Sequence, residues 1–156
     1  MAVKPIPEGY RAVTPYLAVD DAEQAIDYYA KAFGAKERTR MAGPDGTIAH
    51  AELEIGDSVL MLADALPHFL TRPPKELGGT SASIMLYVED VDAVVKRAAD
   101  AGGTISREVE DQFWGDRFGA VTDPFGHVWT IATHVEDVPP EDIAERMKAA
   151  MAAMSG

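Results

Sequence analysis

The chain has 156 residues, 47% of them hydrophobic and 26% charged, with a formal charge of −12 and no cysteine. That length and composition suit a globular domain with a real core and exclude disulfides, thiolate chemistry and cysteine-ligated metal. An acidic surface without a compensating basic cluster argues against nucleic acid, and the lack of a long apolar run argues against a membrane, so a cytoplasmic location is the default expectation.

Ala12 to Val19 reads as a strand, with Val13, Leu17 and Val19 toward a core and Thr14 and Tyr16 on the other face. Asp20-Asp21 supplies capping carboxylates for a helix from Ala22 to Phe33, which Gly34 ends. Glu37 to Met41 reads as a strand closed by Gly43-Pro44-Asp45-Gly46, and Thr47 to Ile55 pairs with Ser58 to Ala63 across Gly56-Asp57. From Asp64 to Thr80 the chain carries Pro67, Pro73, Pro74 and Gly78-Gly79, which reads as a stiff connection.

The plan then recurs about seventy residues later. Ser81 to Val88 is a strand, Asp90 starts a helix to Ala101, and Ile105 to Val109 is another strand. A polar and aromatic loop runs Glu110 to Arg117, and a hairpin follows from Phe118 to Thr122 and His127 to Thr133. The tail predicts a helix with Ile143, Met147 and Met151 at helical spacing, packed on the core or on a partner subunit. The expected organisation is one domain: module 1 over 10–65, a linker over 66–80, module 2 over 81–134 and a C-terminal helix over 139–152. Two copies of one βαβββ unit, rather than a solenoid of short repeats, account for this pattern.

Val-Asp-Asp-Ala opening the first helix, together with Asp123-Pro124-Phe125-Gly126-His127-Val128-Trp129 near the end, resembles the vicinal oxygen chelate superfamily of glyoxalase I, bleomycin-resistance proteins and extradiol dioxygenases. The runs Trp114-Gly115-Asp116-Arg117-Phe118-Gly119 and Thr133-His134-Val135-Glu136-Asp137-Val138 resemble its PhnB-like branch. The resemblance implies an α+β fold in which tandem βαβββ modules form a cupped mixed sheet, usually in a homodimer. It also implies, for the family's metal enzymes, a divalent ion in the cup held by His and Glu side chains.

The family's four ligand positions correspond here to Thr14, Leu60, Ser83 and Thr130, aligned by the helix-capping Asp and the hairpin Gly. None is an imidazole or carboxylate, so no cofactor is expected at that place. A relocated divalent site would use His50 and Glu52, which share one strand face, with help from His134. The same pair can instead serve as base and orienter or as ligand hydrogen-bonding groups, or lie on a solvated edge.

The expected cup lining is Tyr16, His50, Glu52, Leu60, Met85, Tyr87, Trp114, Arg117 and Thr130. Trp114 would stack on a flat ligand, with Gly115 allowing close approach. Arg117 would either hold an anionic group or pair with Asp116 or Asp111. Trp129 reads as core, His127 as exposed, His68 as having no partner signal, and Met147, Met151 and Met154 as tail packing. Three functions follow in order: a small-molecule binding protein without the metal, a lyase, isomerase or dioxygenase with a rearranged site, and a dimeric interaction protein with a vestigial cup.

Overall fold

In a computed structural model, which describes residues 3–68 and 70–156, the elements run β1 (Tyr16–Val19), α1 (Ala22–Phe33), β2 (Lys36–Ala42), β3 (Ile48–Ile55), β4 (Ser58–Asp64), α2 (Pro74–Leu77), β5 (Ser83–Tyr87), α3 (Val91–Asp100), β6 (Thr104–Asp111), β7 (Asp116–Thr122), β8 (Val128–His134) and α4 (Pro140–Met154). The two capping aspartates act alike. Asp21 accepts the Gln24 amide at 3.0 Å and Asp90 accepts the Ala93 amide at 3.0 Å, each satisfying an orphan donor of the first turn. Gly34 closes α1 in the left-handed region at φ 68°.

The strands form two four-stranded mixed sheets, ordered β1-β4-β3-β2 and β5-β8-β7-β6. In each, the first strand lies parallel to the last and the remaining neighbours are antiparallel. The doubled βαβββ plan is therefore real, and the fold is α+β. Among the described residues no strand of one sheet pairs with a strand of the other.

One core unites the modules. Helices α1 and α3 lie against the same side of the sheets and against each other, burying Tyr28, Tyr29 and Phe33 with Trp129 and Phe125. The Tyr28 hydroxyl donates to the Ala98 carbonyl at 3.0 Å, and Arg97 donates to the Ala32 carbonyl at 3.0 Å. Asp123, almost fully buried, accepts from Tyr29 at 2.6 Å and Trp129 at 3.0 Å as well as from two amides of its own turn. A buried carboxylate is tolerable because every acceptor direction is used.

Four expectations change. The first strand starts at Tyr16 rather than Ala12, since Pro15 has no N–H to donate to a ladder, and Val13 is exposed. The linker is not wholly irregular: Pro73 and Pro74 are buried, and Pro74 opens the single helical turn α2, where its missing N–H costs nothing. Asp116 and Arg117 belong to a strand rather than a loop, because the turn closes over Gln112–Gly115. The tail helix α4 buries no residue on this chain and is tied to it by Arg146, whose guanidinium donates twice to Glu136 at 2.9 and 2.7 Å. Among the described residues no helix is long and apolar enough to cross a membrane.

Candidate functional site

Strand β3 turns Ala51, Leu53 and Ile55 into the core, so His50 and Glu52 project from the opposite, open face. Cross-strand pairing sets Met61 beside both Glu52 and Tyr16. The Tyr16 hydroxyl lies 2.7 Å from His50 Nδ1, and His50 Nε2 lies 3.0 Å from Glu52 Oε1. Tyr10 donates to the other Glu52 oxygen, with the Arg38 guanidinium 4.9 Å above its ring.

The proton positions follow. The bond from Tyr10, then that from His50, holds the Glu52 carboxyl below the usual range, so it only accepts. His50 therefore donates from Nε2, and in the neutral ring Nδ1 accepts from Tyr16. Burial and then the Glu52 charge push the Tyr16 phenol up, and the bond to Glu52 does the same for Tyr10.

The second sheet carries its own cluster on the same side. Asp116, 3% exposed, receives Tyr87 at 2.9 Å and the Trp114 indole at 3.1 Å on one oxygen, and His134 at 2.8 Å on the other. Burial pushes the Asp116 carboxyl up, but the bonds from His134, Tyr87 and Trp114 outweigh it and hold the group below its ordinary value. The second His134 nitrogen reaches Asp137 at 2.8 Å. Two carboxylates on two ring nitrogens require both to carry protons, and the Asp116 bond, then the Asp137 bond, raises the His134 pKa accordingly.

Of the predicted lining, Tyr16, His50, Glu52, Met85, Tyr87, Trp114 and Thr130 lie on the open side. Thr130 contacts the Met85 sulfur at 3.2 Å. Leu60 does not. It faces Leu53 in the core at 4% exposure, because the two hairpins differ in length. The first closes on the two residues Gly56-Asp57, between paired Ile55 and Ser58. The second closes on residues 123–127, between paired Thr122 and Val128. Tyr16 and Met85, equivalent by the helix-capping aspartates, pair with Met61 and Thr130, so Met61 is the counterpart of Thr130 and matching Gly56 to Gly126 is off by one residue. Met61 occupies the position assigned to Leu60, and Thr14 precedes β1 altogether.

Arg117 also turns away. It alternates with Asp116 and Phe118, points to α3, and binds Asp92 with two nitrogens at 2.6 and 2.8 Å and Asp111 at 3.1 Å, which raises its pKa. Gly115 brings its loop against the chain's own tail: a Cβ there would stand 2.1 Å from the Glu136 carbonyl oxygen, and the residue has φ 98°. His127 is part-buried rather than exposed, with Nε2 at 2.9 Å from the Ala18 carbonyl across the module boundary. Tyr10 and Asp116 went unrecognised. Tyr10 precedes any periodic segment, and the Asp116–Arg117 adjacency suggested a local ion pair that strand alternation forbids.

The corrected ligand positions, Thr14, Met61, Ser83 and Thr130, hold neither imidazole nor carboxylate and do not fit a divalent transition metal. Among the described residues no three His, Asp or Glu side chains are grouped to hold an ion.

The family model of the Glyoxalase/Bleomycin resistance protein/Dioxygenase superfamily matches residues 11–131. An uncharacterized protein of Mycobacterium bovis is 47% identical over 139 residues, covering 87% of this chain and 91% of that one. The structure of TioX from Micromonospora superposes with a TM-score of 0.63 at 28% identity, covering 80% of this chain and 99% of that one. A PhnB protein from Bacillus cereus has the same fold, with a TM-score of 0.62 at 21% identity, covering 79% and 99%.

Proposed function

The chain belongs to the glyoxalase/bleomycin resistance protein/dioxygenase superfamily, and on that premise we propose that it binds a small organic molecule on the open face of its sheets without a divalent metal at the family position. The observation that carries this is the chain of bonds from Tyr16 through His50 to Glu52, closed by Tyr10 and set beside apolar Met61. A few polar groups held rigidly in apolar surroundings are what an organic ligand with polar handles requires. Both tyrosines have raised pKa values and stay protonated near neutrality, so they serve as hydrogen-bonding groups rather than as bases.

Met85 and Tyr87, 42% and 61% exposed beside this face, are expected to be covered by a second copy of the chain. Small-angle scattering should give a dimer, and a monomer at high concentration contradicts that assembly. A thermal-shift screen of aromatic and dicarbonyl compounds tests the ligand. A true ligand at 100 times its dissociation constant adds about 2.7 kcal/mol, and the gain should fall sharply in Glu52→Gln. No shift across the panel contradicts binding at this face.

A further inference from the structure

A second cavity lies where the linker crosses the boundary between the modules. It measures about 800 Å³, within the range of drug-sized ligand sites, and is walled by β1, the starts of β5 and β8 and residues of the segment Leu70–Ala82. Only Tyr16 is common to this cavity and the open-face cluster.

Its chemistry departs from that of the rest of the molecule. The chain carries 26 carboxylates and a net charge of −12, yet no Asp or Glu lines this cavity. Arg72 does line it, and makes no ion pair or hydrogen bond among the described residues. The hydroxyls of Thr71 and Ser81, also in the lining, are likewise without a bond among those residues. His127 also lines the cavity. A carbonyl can only accept, so its Nε2 donates to Ala18, leaving Nδ1 without a described partner. The lining also includes the apolar residues Leu17, Ile84 and Val128.

Elsewhere several guanidinium groups face carboxylates: Arg117 pairs with Asp92, Arg40 with Glu37 and Arg146 with Glu136. An arginine left unpaired in an acid-free cavity, beside two unused hydroxyls, offers a fork of donors to a planar anion. We propose that the linker cavity binds an organic acid, its carboxylate held by Arg72, Thr71 and Ser81 and its apolar body laid against Leu17, Ile84 and Val128. Arg72 thus takes the anion-holding role that the sequence offered to Arg117.

The test is an amide-resolved NMR titration of the full chain with phenylacetate, indole-3-acetate and decanoate, and with phenylacetamide and inorganic phosphate for comparison. At least one acid should give saturable shifts at residues 70–82 and His127, and phenylacetamide should bind about 10-fold or more weakly than phenylacetate. Arg72→Gln, a change at an exposed and unpaired side chain, should leave the melting temperature unchanged and remove the preference for the acid. Glu52→Gln should leave acid binding intact, so failure of the open-face site and of this one are separable. Absence of saturation with all three acids, equal binding of acid and amide, or an Arg72→Gln variant that binds as well as the parent overturns the proposal. So do shifts confined to His50 and Glu52, or phosphate binding as tightly as the organic acids, which would mean a bare anion site without a use for the apolar wall.

Discussion

At the residue scale, His134 is the group whose charge matters most. It links Asp116 on the open face to Asp137 in the tail, and its pKa is raised in the folded chain by those two carboxylates. A raised folded value means that the stabilisation is fully present below the unfolded pKa of about 6.5 and is lost as pH climbs through the folded value. The melting temperature should therefore decline from about pH 6 toward pH 9, and the decline should flatten in His134→Gln. An unchanged pH profile in that variant contradicts the imidazolium assignment. Gly115 is constrained from two sides, by φ 98° and by the Glu136 carbonyl. Gly115→Ala should destabilise by about 2–4 kcal/mol in urea unfolding, while a loss under about 1 kcal/mol would mean that the tail does not close on this loop.

At the scale of elements, the register of β4 decides which side chain reaches the open face. Leu60 is in the core opposite Leu53, and Met61 is on the open face beside Glu52 and Tyr16. Leu60→Ala should cost about 2–4 kcal/mol of stability with little effect on ligand affinity. Met61→Ala should cost less than about 1.5 kcal/mol and weaken binding. The reverse pattern in paired denaturation and binding measurements contradicts the register.

The same strand shows how far the sequence was legible. Alternation along β3 placed His50 and Glu52 together on the face opposite Ala51, Leu53 and Ile55, and the capping aspartates located both helices. The Leu60 position was misread because a glycine marks a hairpin without stating its length. Tyr10 was not legible at all, since it meets Glu52 across 42 residues from a segment with no periodicity. Arg117 was ambiguous while residues 116 and 117 read as loop, and only the start of β7 at Asp116 turned it toward Asp92.

At the scale of the whole molecule, the repeat does two separate things. Its helices bring the modules together in one core, where Tyr28, Tyr29 and Arg97 bond across the module boundary. Its sheets leave their outer faces open, one with a glutamate cluster and one with an aspartate cluster. α4 adds nothing to that core, and its methionines Met147, Met151 and Met154 are exposed on this chain, so of the two packings their spacing suggested, the one on the chain's own core is not formed. Burial of such a stripe needs a surface from outside the chain, which periodicity alone cannot specify.

The central claim is that the doubled scaffold recognises its ligand through tyrosine, histidine and carboxylate groups rather than through a divalent ion. Elemental analysis of protein purified from metal-replete medium tests it most directly, run on the parent chain and on His50→Ala. The account predicts well under one divalent ion per chain in both. One ion per chain in the parent, lost in His50→Ala, would contradict it.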